Sequence, residues 1–331
     1  MKAVIHEKIK GFNGLSFSDM KVTEPESEQV RIKVKAAGLN HRDLFVLDRH
    51  KETDPPFIIG SDGAGVIDSI GENVSNVKIG DEVMINPGLH WPNTSDAPPQ
   101  GFEVLGFPSD GTFAEYVIVP ADSVETKPDY LTWEEAGVLS LAALTAYRAL
   151  FTRGEVQPGM KVFIPGIGSG VATFLLQFAK AAGATVYVSS RSEEKRTKAL
   201  ELGAEKAIDS HGDWEQELGG AKMDLVIECV GAATFNKSLD TLRRGGTIVT
   251  FGSSTGDMID FDLRKFFYGQ LNLLGSTMGS SEEYKEMLSF IKTHEIRPVL
   301  DEVFPLEQYE EAFNKLEKAN QLGKVGFAIS K

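Results

Sequence analysis

Apolar and charged residues alternate through Val30, Ile32 and Val34, with Arg31, Lys33 and Lys35 between them, which predicts a strand with one buried face. Further strands are predicted at 63–70, 82–85 and 112–119, set apart by Gly-Glu-Asn and Gly-Asp turns, with a short helix over 41–48. Short antiparallel strands at this spacing predict a barrel-like domain over residues 1–127. Within it, residues 86–110 are rich in Pro, Gly, Asn and Asp and carry His90 and Trp91. That segment reads either as a functional loop or as a surface lobe packed by its own aromatics.

After Pro128 the period changes. Thr132 and Glu135 have capping-box spacing and open a helical stretch that runs through AALTAYRALF. An apolar run at Lys161–Pro165, a glycine-rich turn, helical spacing of Ala172, Leu175, Leu176, Ala179 and Ala182, and a second apolar run at Thr185–Ser189 together predict a βαβ unit. Strands at 207–208, 224–229, 246–251 and 271–275 bring the count to six, with helices near 193–202, 232–243 and 281–294, as a doubly wound parallel sheet requires. From residue 296 the alternation ends. A helix over 305–318 and a last strand over 324–329 are expected to return to the first domain. The expected class is α/β, with a β-barrel domain formed by 1–127 and 296–331 and a doubly wound domain at 128–295.

The 331 residues carry a formal net charge of −14 and no Lys/Arg-rich run, which argues against nucleic-acid and anionic-membrane surfaces. A single cysteine, Cys229, excludes an internal disulfide and a multi-cysteine zinc site, and its place in DLVIECVG predicts inert packing. The N-terminal residues show no signal-peptide pattern, and no uncharged apolar run is long enough to span a bilayer. The expectation is a cytoplasmic protein whose partner is a small molecule rather than a membrane.

Glycines after the first strand of a βαβ unit let a diphosphate approach the backbone, where helix N-terminal amides neutralise its charge. The strict G-x-G-x-x-G pattern starting at Gly166 fails at Val171, but a turn one residue longer places Gly166, Gly170 and Ala172 at the small positions. Gly166, Gly168, Ser169, Gly170 and Val171 are therefore the candidate diphosphate site. At the end of the second strand, where an acidic residue would bind a ribose 2′-hydroxyl, stand Ser190 and Arg191, with Lys195 nearby. A hydroxyl and a guanidinium suit a 2′-phosphate, so the expected cofactor is NADPH. Val230 and Gly231, and Phe251, Gly252 and Ser253, follow later strands and are further candidate contacts.

Six blocks extend the reading over the whole chain: AAGLNHRDL at 36–44, GSDGAGVI at 60–67, VKIGDEV at 77–83, GTFAEYVIVP at 111–120, LAALTAYRAL at 141–150 and the glycine turn. In order and spacing they resemble the medium-chain dehydrogenase/reductase superfamily, in its zinc-independent branch of quinone-oxidoreductase-like and enoyl-reductase-like proteins. The resemblance implies a GroES-like catalytic domain, a Rossmann cofactor domain, and an active site in the cleft between them. Where zinc-dependent members carry a cysteine, a His-Glu pair and a third ligand, this chain has Asn40, Ser61-Asp62 and a position at or next to Leu141. Neither Asn nor Leu supplies an anionic or imidazole donor, and His41, His50 and His90 match no common ligand spacing, so no metal is expected. By the same resemblance Asn40 and Thr145 lie near nicotinamide and substrate, Asp62 is a further catalytic candidate, and Asp43 is a scaffold carboxylate. The tyrosine that some enoyl reductases carry before the segment matching Pro55-Pro56 is absent, which leaves His50, Asp54 or water as proton source. The strand around 271–274 resembles the edge that relatives pair across a two-fold axis, which suggests a homodimer.

Without a Lewis acid, hydride transfer is easiest to an acceptor that delocalises the resulting charge itself, a quinone or a conjugated alkene. The expected activity is NADPH-dependent reduction of a quinone, enone or enoyl thioester. Two alternatives stay open: an alcohol dehydrogenase-like carbonyl reductase, and a dinucleotide-binding protein without catalysis.

Overall fold

The alternating segment becomes the central strand of the first unit, Gln29–Gly38, with Val30, Ile32 and Val34 fully buried and Lys33 exposed. The computed structural model describes residues 1–49, 51 and 53–330. It divides into two compact units, Met1–Ala142 with Gly279–Lys331, and Ala143–Met278.

In the first unit, Gln29–Gly38 pairs antiparallel with Asp62–Ile70 on one side. On its other side Tyr116–Pro120 pairs with its first half and Lys324–Ala328 with its last residues. The register sets Gly38 opposite both Asp62 and Gly326. Three segments far apart in sequence are thereby brought together at one end of the sheet. The core beneath is aromatic: the Phe113 ring meets Phe327 at 4.9 Å and Phe313 at 6.3 Å between centroids. Phe313 comes from the Tyr309–Glu317 helix, whose Tyr309, Ala312, Phe313 and Leu316 are buried as its apolar spacing requires. The 86–110 segment holds a two-stranded hairpin, Gly88–Leu89 with Glu103–Val104. Trp91 is buried against Phe102, and the carbonyls of Trp91 and Pro92 accept the N–H groups of Ser281 and Glu282, which open the Ser281–Thr293 helix.

The unit boundaries differ from the 127/128 and 295/296 expected from periodicity. Thr132 and Glu135 do form a capping box, but the Trp133–Gly137 helix it opens packs on the central strand. A Cβ on Gly38 would lie 2.6 Å from the Cα of Val138, so that close approach needs glycine. The expected continuous helix is interrupted there, since Val138 has ψ near 0°, and resumes at Ser140–Tyr147 before a π-helical turn at Arg148–Arg153.

The second unit is a six-stranded parallel sheet in the spatial order Lys206–Asp209, Thr185–Ser190, Lys161–Ile164, Met223–Glu228, Leu242–Thr250, Asn272–Gly275. That is the 3-2-1-4-5-6 order of a doubly wound fold. The strand order reverses between Lys161–Ile164 and Met223–Glu228, so the loops after these two strands flank the crevice where such sheets bind ligands.

Candidate functional site

The sheet register of the first unit assembles a buried polar cluster. Asn40 follows Gly38 by two residues, Lys324 precedes Gly326 by two, and Asp62 faces Gly38 directly. The Lys324 Nζ donates to the carbonyl of Leu39 at 2.8 Å, to Asn40 Oδ1 at 2.6 Å and to Asp62 Oδ2 at 3.1 Å. Asn40 Nδ2 donates to the same Asp62 oxygen at 2.9 Å, and the Leu141 N–H donates to Asp62 Oδ1 at 2.7 Å. All three ammonium hydrogens have acceptors, and both Asp62 oxygens have donors.

A second carboxylate supports the first layer from behind. Asp43, in the His41–Arg49 helix, accepts the backbone N–H of Asn40 at 2.8 Å and the Ser61 hydroxyl at 3.4 Å. Burial pushes its carboxyl up to about 6, against the lowering effects of Arg42, the Asn40 N–H and Lys324. Arg42 ties the helix to the neighbouring lobe by donating to the carbonyls of Leu105 and Val104. His41 is held below its usual imidazole range by burial and then by the Lys324 charge. Asp54, a candidate proton source, closes a local turn by accepting the Lys51 N–H, and His50 lies outside the described residues.

In the second unit, Gly166 adopts φ 73°, which favours glycine, and a Cβ there would lie 2.7 Å from Val230 Cγ2. The turn is pinned to the neighbouring strand by Gly166 N–H to Ser189 Oγ and Ile167 N–H to the Ser189 carbonyl. Ser169 caps the Gly170–Ala181 helix by accepting the Ala172 N–H; the backbone of Gly168, Gly170 and Val171 completes the turn and the first residues of that helix. The 229–231 and 251–255 loops lie together: Thr255 N–H donates to the Val230 carbonyl, and Ser253 Cα is 2.8 Å from where a Gly231 Cβ would stand. Gly252, after Phe251, lies across from Cys229 in the same way: a Cβ added there would stand 3.2 Å from the Cys229 carbonyl oxygen. Burial, then the Glu228 charge, pushes the Cys229 thiol up to about 12.

The structure thus brings Gly166, Val230, Gly231 and Ser253 to one end of the parallel sheet, and Ser190 ends the adjacent strand. Ser190 Oγ accepts the Ser192 N–H, Arg191 is exposed, and Lys195 lies in the first turn of the Glu193–Glu201 helix. Thr145 is buried, with its hydroxyl 3.9 Å from the sulfur of Met278. Three residues carry these sites without any strong sign in the sequence. Lys324 is one. Glu228 is another: its buried carboxylate accepts the N–H groups of Val230 and Gly231 and the hydroxyls of Thr234 and Ser238, and so shapes the 229–234 loop. Arg196, which donates to the Ser190 carbonyl at 2.8 Å, is the third. A lone charge inside or beside an apolar run, as in DLVIECV and GKVGFAI, is the signal that could have found the first two.

The residues that the sequence resemblance sets at a catalytic-metal position do not fit a zinc ion. Asn40 and Leu141 offer no anionic or imidazole donor, and Asp62 already has both oxygens engaged, one of them by an ammonium. Among the described residues no group of three or more His, Cys, Asp or Glu side chains could hold a metal. The buried Asp43 also makes a pH prediction. A folded-state pKa raised from 3.8 to about 6 contributes stability that is present below pH 4 and lost as pH rises through 6. Urea unfolding from pH 4 to 7 should show wild type losing up to about 3 kcal/mol relative to Asp43→Asn across that window. Parallel profiles for the two proteins would show that Asp43 is not perturbed.

Comparison with known proteins agrees with this geometry. The family described as alcohol dehydrogenase GroES-like domain matches residues 26–129, and that described as zinc-binding dehydrogenase matches residues 170–293. A zinc-type alcohol dehydrogenase-like protein of Schizosaccharomyces pombe is 35% identical, covering 99% of both chains. A crotonyl-CoA reductase of Streptomyces avermitilis is 32% identical over 94% of this chain and 81% of its own. A crystal structure of an NAD-dependent alcohol dehydrogenase superposes with a TM-score of 0.93 at 34% identity, covering 100% of each chain. With both family models matched and a relative 35% identical over 99% of both chains, the chain belongs to the medium-chain dehydrogenase/reductase superfamily of oxidoreductases.

Proposed function

We propose that this oxidoreductase uses NADPH to reduce an electronically activated acceptor, a quinone or an alkene conjugated to a carbonyl, without a metal ion. The observation that carries this reading is the Lys324 ammonium on Asp62, a protein cation in the cluster that the sequence resemblance sets at a metal position. An acceptor that delocalises its own charge needs hydrogen-bond donors rather than a Lewis acid.

The glycine turn at Gly166 to Val171 suits the cofactor's diphosphate, with a positive φ that favours glycine at Gly166 and the N-terminal end of a twelve-residue helix behind the turn. Ser190 and Arg191 recognise the 2′-phosphate, supported by Lys195, while Val230, Gly231, Phe251, Gly252 and Ser253 flank the rest of the dinucleotide. When bound, the reduced nicotinamide supplies a hydride. Asn40 donates an N–H to the acceptor oxygen, where negative charge develops; Thr145 offers a hydroxyl to the reacting groups; Asp62 holds Asn40. The α-carbon of a conjugated alkene then takes its proton from water. The crotonyl-CoA reductase relative is named for a conjugated acyl thioester, in line with this class. A second reading, alcohol dehydrogenation, is favoured by the names of the other two relatives.

Oxidation of NADPH and NADH across quinones, enones, enoyl thioesters and simple aldehydes separates the two. Turnover confined to conjugated acceptors is expected, with NADPH preferred at least about tenfold and Arg191→Ala removing most of that preference through the NADPH KM. Turnover of aldehydes alone, or a preference for NADH, would overturn the reading.

We further propose that the chain is a homodimer through the outer strand Asn272–Gly275. This sheet edge exposes Leu273, and the preceding Leu263–Gly269 helix buries none of its residues, leaving Leu263, Phe267 and Tyr268 exposed. An uncovered apolar edge is a template for pairing with another copy. Leu273→Lys should convert a dimer to a monomer in sedimentation velocity; a wild-type monomer at micromolar concentration would contradict the assignment.

A further inference from the structure

The cluster around Lys324 does more than replace a charge. We infer that Lys324 is a positioning residue that fixes the Asn40 carboxamide in one orientation, leaving one N–H for the acceptor oxygen, and cancels the Asp62 charge beside it. The inference rests on the hydride reading above for its catalytic consequence, though the orientation stands on geometry alone.

An asparagine amide can rotate by half a turn with little change in shape, so only its partners decide which end is which. Here the partners are of opposite kinds. Oδ1 faces an ammonium at 2.6 Å, and Nδ2 faces a carboxylate oxygen at 2.9 Å. Turning the amide over would set an NH2 against the ammonium and an oxygen against the carboxylate, two repulsive contacts in place of two charge-assisted hydrogen bonds. The side chains of Lys324 and Asp62 are 3% and 0% exposed, so water cannot stand in for either partner. Of the two Nδ2 hydrogens, one is committed to Asp62. Among the described residues the other has only the Gly38 carbonyl, at 3.5 Å, the outer limit of a hydrogen bond. That second N–H is the donor available to a substrate oxygen.

Charge follows the same logic. An Asp62 carboxylate without Lys324 would place a net negative charge within one residue of the oxygen on which hydride transfer builds another. With Lys324 present, the pair is neutral and the amide faces the acceptor as a dipole of fixed sign.

The test reads orientation and chemistry separately, on the full chain labelled with 15N-asparagine, using Asn40→Ala to assign the Asn40 side-chain signals. In wild type two well-separated side-chain protons are expected, the Asp62-bonded one protected from exchange; Lys324→Arg should retain this pattern, and Lys324→Met should collapse the two toward the shifts of a free amide with loss of that protection. With enone acceptors, Lys324→Met should lower kcat by about 10- to 100-fold, the size expected for a misplaced catalytic group, with the NADPH KM within about threefold of wild type. Lys324→Arg should recover most of kcat. If Lys324→Met does not fold, Lys324→Met with Asp62→Asn removes both buried charges and should show the same loss of Asn40 protection. Unchanged Asn40 signals in either variant would overturn the inference, as would a full kcat once those signals have collapsed. A wild type that shows the Lys324-dependent signals but reduces no acceptor would overturn the hydride reading and leave the positioning role standing.

Discussion

Lys324 carries its ammonium group to a place where the side chain is 3% exposed, and a charge taken from water at that depth costs several kcal/mol unless its surroundings meet it. The first unit meets it completely, with a carbonyl, an amide oxygen and a carboxylate around one nitrogen. Such a pair is weak evidence for stability, since well-packed apolar groups would serve as well. What it does supply is direction. With Lys324 buried beside Asp62, Asn40 has one orientation that suits both partners, and the Leu141 N–H donates to the other Asp62 oxygen. The sheet register that sets Gly38 opposite Asp62 and Gly326 is the structural condition for all of these contacts.

The second unit uses a buried charge in the same manner. Glu228 ends the Met223–Glu228 strand, where the strand order reverses, and its carboxylate draws two backbone N–H groups and two hydroxyls around itself. The loop that results keeps Val230 against Gly166 and Gly231 against the 253–256 segment. In each unit, therefore, buried charged side chains with several hydrogen-bond partners shape the backbone at the candidate site, and in each case removing one partner would leave polar groups stranded in the core.

Most of the architecture was legible from local pattern. Alternation at 30–34, the glycine turn at 166–170 and the helical spacing at 172–182 are short-range signals, and the strands and helices stand within a few residues of where those signals put them. The unit boundary was less legible, because the capping box at Thr132 marks only where a helix starts. Which sheet that helix joins is decided by the contact of Gly137 and Val138 with Ala36 and Gly38, and no local rule reports it. The cluster itself was half legible. Asn40 and Asp62 stood out beside residues that resemble a family pattern, whereas Lys324 is separated from Asp62 by 262 positions and reads, on its own, as a charged residue at the start of a strand. Glu228 and Arg196 were missed for a related reason: a single charge in an apolar run, or on a helix surface, takes its meaning from partners that only the fold supplies.

The central claim is that a protein cation stands at the candidate catalytic cluster in place of a metal ion. Metal content and turnover measured on the same purified sample test it most directly. Full NADPH-dependent reduction of a conjugated acceptor, by protein containing well under one zinc per chain and unchanged by prior dialysis against a chelator, is the predicted result. Stoichiometric zinc whose removal abolishes turnover and whose return restores it would contradict the account.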